Sequence, residues 1–203
     1  MATSIRKLAL AAFTALALSA VVAFPSVAHA GEAQTLVQGR HSEVVSKLKG
    51  VASAERDKQV AGILGNLFDY DTMAEKSMGS DWAGLTDDQK VEFRSVLRQL
   101  IQKNLERSIK STLKYEVEYL GEEGSGDAVL VKTKAANKGN AREEPVTIDY
   151  KMQKKGTEWR AVDVVTEGSS MVNNYKSQFH KIIGKDGYNG LIKKMKSKLG
   201  PSA

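Results

Sequence analysis

The chain has 203 residues, of which 27% are charged, and its formal net charge is +6. It contains no cysteine, which excludes disulfides, zinc–thiolate sites and cysteine nucleophiles. The positive charge is too weak to indicate a nucleic-acid-binding protein. The length is sufficient for one domain with a substantial core.

Residues 1–30 have the three parts of a secretory signal peptide. Arg6-Lys7 forms a basic start, residues 8–24 are uncharged, and Ala28-His29-Ala30 is a small-x-small cleavage motif. A transmembrane anchor is the alternative, but about seventeen residues is the short limit for crossing a bilayer. We expect cleavage after this motif, which leaves residues 31–203 as one domain with 28 basic and 24 acidic side chains.

The first part of this domain has helical periodicity. Apolar residues at helical spacing predict helices over 34–48 and 55–68. A short third helix is predicted to begin at Asp69 or Asp71, either of which can cap it, and to end at Gly79.

The clearest helix start is Thr86-Asp87-Asp88-Gln89, because Thr and Gln at this spacing form a capping box. The helix is predicted to run to about residue 108. Its apolar face comprises Phe93, Leu97, Leu100, Ile101 and Leu105.

Apolar and polar residues then alternate, which indicates strands. Four strands are predicted, at 115–119, 129–133, 146–151 and 159–165. Turns are predicted at 121–126 and at Gly156. We expect Val162 and Val164 to share the apolar face, and the whole to form an antiparallel meander with one polar and one apolar face.

Two helices complete the domain. The first is predicted to be capped by Ser169 or Ser170 and to end at Gly184. The last carries Lys193, Lys194, Lys196 and Lys198, which form either a solvated face or a surface attracted to anionic lipid or an acidic partner. Helices packed on one face of an antiparallel sheet make an α+β fold.

Motifs of catalysis are missing from the sequence. His41 and His180 are the histidines of the predicted domain, and neither has the spacing of a metal-ligand motif. The series Gly121-x-x-Gly124-x-Gly126 lies between predicted strands, without the strand-to-helix context that phosphate binding requires. These absences favour a protein that is not an enzyme, and we expect no metal or cofactor.

An ordered series of motifs between about Phe68 and Leu199 resembles the MlaC family, also called toluene-tolerance auxiliary proteins. The motifs are Phe68-Asp69-Tyr70-Asp71-x-Met73-Ala74, Gly79-x-x-Trp82-x-x-Leu85-Thr86-x-x-Gln89, Pro145-Val146-x-Ile148-Asp149-Tyr150, Trp159-Arg160-Ala161-Val162-Asp163-Val164 and Gly168-x-Ser170-x-Val172-x-Asn174-Tyr175-x-x-Gln178-Phe179. The departures from the family pattern are mild, with Met171 where Leu is usual and Lys176 where Arg is common.

The resemblance implies a periplasmic carrier of a Gram-negative cell that shuttles phospholipid between the two membranes. Its implied partners are an outer-membrane MlaA-like lipoprotein complex and an inner-membrane MlaFEDB-like ABC transporter, with no nucleic acid, and we expect a monomer. The implied fold is α+β, with an antiparallel sheet of four or five strands and helices on its apolar face around a hydrophobic lipid pocket.

Burying two acyl chains represents roughly 20 kcal/mol of apolar transfer, at about 0.8 kcal/mol per methylene. We therefore expect a pocket toward the upper end of the usual range of about 300–1,000 Å³. The predicted lipid-binding residues, each of which could equally be ordinary core, are Leu97, Ile101, Val117, Tyr119, Val131, Ile148, Tyr150, Val162, Val164, Met171, Tyr175 and Phe179.

Three alternatives stay open. The cargo could be another apolar lipid such as a hopanoid. The protein could be an enzyme acting on a hydrophobic substrate, for which Asp149 or Asp163 would have to supply a polar group deep in the pocket. It could also be an adaptor without a pocket that regulates a transporter.

Overall fold

A computed structural model describes residues 31–111, 113–140 and 142–200. The predicted signal peptide lies outside the described residues. The elements in chain order are α1 (Glu32–Leu48), α2 (Ala54–Leu67), α3 (Tyr70–Met78), a 3-10 helix (Gly79–Gly84), α4 (Asp87–Ser111), β1 (Tyr115–Ser125), β2 (Ala128–Asn137), β3 (Val146–Lys155), β4 (Glu158–Thr166), β5 (Ser169–Ser170) and α5 (Met171–Leu199).

The helix starts follow the capping residues in the sequence. The Thr86 hydroxyl accepts from the Gln89 backbone N–H at 3.2 Å, and the Gln89 side chain accepts from the Thr86 N–H at 3.0 Å. This reciprocal pair confirms the predicted capping box. Asp69, rather than Asp71, caps α3 by accepting from the Thr72 N–H at 3.0 Å.

Helix α5 differs from the prediction at its centre. Ser170, one of the two predicted caps, accepts from the Asn173 N–H at 3.0 Å. The predicted end at Gly184 is wrong, because the backbone there stays helical. The interruption lies at Gly187, with φ 67° and ψ −177°. Glycine adopts that backbone conformation at little steric cost, whereas a glycine inside a helix only weakens it.

The five strands form one antiparallel sheet in the order β1-β2-β3-β4-β5. This confirms the predicted α+β meander and includes the short fifth strand. The predicted turn at 121–126 is wrong in extent, since β1 continues to Ser125 with a bulge at Leu120. Gly121 and Gly124, with φ 123° and 115°, allow the strand to pass through these positions.

A second bulge interrupts β4. Lys151 pairs with Asp163 and the next residue of β3, Met152, pairs with Ala161, so Val162 has no partner on β3. Since a bulge shifts the alternation of side chains, the prediction that Val162 and Val164 share one face is wrong. Consecutive residues of β4 from Ala161 to Val164 are all buried.

The core lies between the sheet and the helices. Helix α1 contacts β1, β2 and β4, helices α2 and α3 contact β4, and α5 contacts β4 and β5. Helix α4 packs on the other helices through Phe93, which is fully buried and makes edge-to-face contacts with Trp82 and Phe179. In the part of the chain that the structure describes, no helix has the length and hydropathy needed to cross a bilayer.

Candidate functional site

An apolar cavity of about 170 Å³ lies between the sheet and helices α1, α2 and α4. Its wall combines aliphatic and aromatic side chains from both layers of the fold. These are Val44, Leu64, Leu67, Phe68, Leu105, Ile109, Val117, Ile148, Tyr150, Val164 and Met171. Such a lining suits hydrocarbon and offers little to a polar ligand.

Ordinary helix and strand periodicity places these side chains. Leu64 and Leu67 are three residues apart on α2, so both lie on the helix face that packs inward. Ile148 and Tyr150 are two residues apart on β3 and share a sheet face. Tyr150 pairs directly with Val164 of β4, which brings their side chains together at the cavity wall.

Polar side chains gather where the cavity opens. Asn104 and Ser108 of α4 and Thr166 at the end of β4 line the cavity and are exposed, so the mouth lies between these two elements. Arg40 lines another part of the wall, where one guanidinium nitrogen donates to both Glu43 carboxylate oxygens at 3.0 Å. Its buried Nε has no hydrogen-bond partner among the described residues.

His41, Tyr119 and Tyr150, in and beside the cavity, are uncharged at neutral pH, whereas Arg40 is charged and paired with Glu43. The His41 ring Nδ1 lies 3.2 Å from the Tyr119 hydroxyl, and burial lowers the pKa of His41. Burial raises the pKa of Tyr119 and raises the pKa of Tyr150 to about 12. These neutral groups suit an apolar ligand, and the Arg40 charge has the partner that a charge in such a site needs, Glu43.

The structure brings five of the twelve predicted lipid-binding residues to the cavity, namely Val117, Ile148, Tyr150, Val164 and Met171. Leu97, Ile101 and Val131 are fully buried in the core and do not line the cavity, and Tyr119 lies at its edge against His41. Tyr175 and Phe179 line a separate groove between α4 and α5. As lipid contacts, all twelve stay predictions.

Val162 lies elsewhere. Because of the bulge in β4, it lines a polar cleft together with Asp163 and Lys151, away from the cavity. No alternation rule applied to the sequence would have revealed the inserted residue.

The sequence patterns did not predict most of the helical side of the cavity, apart from Met171. Arg40, His41 and Val44 of α1 and Leu64 and Leu67 of α2 line it. The apolar spacing of α2 was visible in the sequence, but nothing there showed that this helix, rather than α4 alone, faces the sheet. No pattern in the sequence indicated that Arg40 and His41 of α1 line a cavity.

The carboxylates considered for catalysis lie outside the cavity lining. Asp163 accepts from the Ser170 hydroxyl at 2.6 Å, the Val172 N–H at 3.0 Å and the Lys151 ammonium at 3.1 Å. It thereby fixes the start of α5 to β4. Asp149 accepts from the Thr133 backbone N–H at 3.1 Å. Within the described residues, no group of three His, Asp or Glu side chains is placed to hold a metal ion.

A solved structure with the same fold as this chain is that of a phospholipid-binding protein from Ralstonia solanacearum, in complex with a phospholipid. The two chains superpose with a TM-score of 0.73 at 21% sequence identity, over 83% of this chain and 97% of the other. None of the curated protein sequences matches this chain.

The sequence model of the MlaC protein family matches residues 39–197. The match begins within α1 and ends near the end of α5, so it includes every element that lines the cavity. It also extends about thirty residues further toward the N-terminus than the motifs that first suggested the family. The chain therefore belongs to the MlaC protein family.

Proposed function

We propose that this protein binds phospholipid by its acyl chains and carries it between membranes without changing it chemically. The observation that carries the proposal is the cavity between helices and sheet, with a mainly apolar lining and a polar mouth. Membership of the MlaC family and the fold shared with a phospholipid-binding protein support this assignment.

The small volume of the cavity means that the protein has to open when it binds a lipid. A cavity of about 170 Å³ is below the usual range for ligand pockets, roughly 300–1,000 Å³. Each methylene transferred from water contributes about 0.8 kcal/mol, so one ordinary chain offers roughly 10 kcal/mol toward widening the site. Ligand binding therefore separates packed elements around the cavity, and the empty protein is the more closed form.

The proposed setting is the periplasm. The signal-like residues 1–30 support export, and the family supports exchange with an MlaA-like outer-membrane complex and an MlaFEDB-like inner-membrane transporter. The protein acts there as a monomer. Fractionation of a Gram-negative host and N-terminal sequencing test the first point, and Gly31 is the expected first residue. Retention of residue 1 in the cytoplasmic fraction would contradict it.

Native mass spectrometry of the purified protein, followed by lipid extraction, tests the binding itself. We expect a stoichiometric, chemically intact phospholipid. A vesicle assay then measures transfer of fluorescent phospholipid from donor to acceptor membranes. A hopanoid in the extract would identify a different ligand, and a chemically modified lipid would favour an enzyme. Absence of any bound lipid together with absence of transfer would overturn the proposal.

A further inference from the structure

A second site with an apolar floor lies beside the cavity. It is a groove of about 330 Å³ between α4 and α5, whose floor is formed by Leu100, Tyr175, Phe179, Ile182, Leu191 and Met195. Tyr175 stacks on Phe179 with ring centroids 5.2 Å apart, which gives the floor a flat aromatic section. The groove has about twice the volume of the cavity.

The rim of the groove is basic. Lys103, Arg107, Lys194 and Lys198 line it, and no carboxylate does so in the described part of the chain. Lys194 is paired with Asp186 at 2.5 Å, and Lys103 donates to a backbone carbonyl. Arg107 and Lys198 have no acidic partner among the described residues, so both are available to an anion.

A hydrogen-bonded pair lies between the groove and the cavity. Asn104 lines both sites, and its Nδ2 donates to the Tyr175 hydroxyl at 2.8 Å. Met171, one helical turn before Tyr175, already lines the cavity. The pair thus joins α4 to α5 at the boundary between the two apolar spaces.

We propose that the groove is part of the lipid site: breaking the Asn104–Tyr175 hydrogen bond joins it to the cavity, one acyl chain lies along its floor, and the phosphate lies at its basic rim. This inference rests on the proposed function. It identifies the groove as the source of the additional volume that a phospholipid needs beyond the cavity. The joined space reaches the range of ordinary ligand pockets.

The chemistry of the two parts matches the two ends of an anionic amphiphile. Guanidinium and ammonium groups bind phosphate through charge-assisted hydrogen bonds. The aliphatic and aromatic floor buries methylenes. A soluble anion would use the rim alone, whereas a phospholipid uses both rim and floor, and this difference can be measured.

Contact with an acyl chain can be measured directly, because the chain contains no cysteine and a single introduced thiol is unique. Fluorophores are attached to Gln178→Cys in the groove, Thr166→Cys at the cavity mouth and Lys181→Cys, which lines neither site. Phosphatidylglycerol brominated on its acyl chains is then compared with the same lipid without bromine.

We expect bromine quenching at positions 178 and 166 and none at 181. Quenching at 166 without quenching at 178 would confine the lipid to the cavity and overturn the inference, while the proposed function would stand. If the unlabelled wild-type protein binds no phospholipid, the proposed function itself fails.

Tyr175→Phe tests the boundary, since it keeps the stacked ring and removes the hydroxyl. Tyr188→Phe is the matched control, because the Tyr188 hydroxyl also links α5 to α4, by donating to the Gln89 carbonyl at 2.7 Å, but does not line the groove. Loss of one net hydrogen bond predicts roughly two- to tenfold faster lipid uptake for Tyr175→Phe only. Equal uptake by the two variants would overturn the role of the pair.

Charge reversal tests the rim. The double variant Arg107→Glu/Lys198→Glu is compared with Lys193→Glu. Lys193 is an exposed residue of α5, as is Lys198, but it lies outside the groove. We expect at least tenfold weaker phosphatidylglycerol binding for the double variant, roughly as for loss of two charged contacts, and little change for the control. Equal binding would overturn the rim assignment. Displacement of the lipid by millimolar inorganic phosphate, beyond the effect of chloride at equal ionic strength, would indicate a free-phosphate site and overturn it too.

Discussion

Strand β4 has two different sites on its two sides. On one side Val164 borders the cavity of about 170 Å³, where most lining atoms are apolar. On the other side Val162 and Asp163 border an open cleft of about 670 Å³ lined by four lysines, Lys76, Lys151, Lys155 and Lys176. Neighbouring residues of one strand therefore lie in opposite environments.

The comparison shows how the fold separates two tasks. The cavity has mostly apolar side chains and unfilled space, which suits an apolar ligand. The cleft instead contains a buried carboxylate, Asp163, whose hydrogen bonds to Ser170, Val172 and Lys151 connect β4 to α5. We infer that the cleft side maintains the architecture and that the cavity side remains able to adapt.

The largest expected effect is a loss of stability caused by a substitution on the cleft side of β4. Asp163→Ala leaves the buried Ser170 hydroxyl and Val172 N–H without their acceptor, which costs about 2–4 kcal/mol of unfolding free energy. Urea denaturation measures this loss. The folded fraction of the variant still binds lipid, because Asp163 does not line the cavity. Asp163→Asn, which keeps an acceptor, is expected to lose less. Wild-type stability in Asp163→Ala would contradict the anchoring role.

A smaller effect, on both stability and lipid affinity, is expected from a substitution on the cavity side of β4. Val164→Ile adds one methylene to the cavity, so we expect a gain of about 0.5–1 kcal/mol in the free energy of unfolding. The added group occupies ligand space, and lipid affinity falls by about 1 kcal/mol, roughly fivefold. Val162→Ile, two residues away on the cleft side, is the matched control and should leave lipid affinity unchanged. Equal affinities for the two variants would show that Val164 does not contact the ligand.

The smallest effect concerns the neutral state of His41. Its pKa is lowered by burial, so the unfolded chain, with a His pKa of about 6.5, binds the proton before the folded protein does. Stability is therefore fully present above about pH 6.5 and falls as the pH decreases toward the folded pKa. Unfolding free energies at about pH 7.5 and 5.5 should differ less in His41→Gln than in wild type. The same pH slope in both proteins would show that His41 is not the group responsible.

Local rules in the sequence predicted much of the fold. The capping box at Thr86, the cap at Asp69 and the alternation of β3 all depend on residues within a few positions of one another, and each has the expected geometry. The family resemblance added the lipid pocket as an expectation. It also led to the cavity residues on the sheet, such as Tyr150 and Val164.

Long-range packing decided the rest. The contribution of α1 to the cavity, through Val44 and His41, depends on how a helix at one end of the domain meets strands formed far along the chain. The position of Tyr175 and Phe179 in a separate groove depends on how α5 packs on α4, where the Tyr175 hydroxyl accepts from Asn104. Neither feature has a signature in the spacing of residues.

The sequence by itself determined the element types, most of their ends, the antiparallel meander and the absence of cysteine chemistry, because these follow from local backbone preferences and composition. Only the tertiary structure decided which side of β4 each residue occupies, since a single bulged residue at Val162 changes the alternation. It also decided the cavity, because an unfilled space exists only where side chains from distant elements fail to meet.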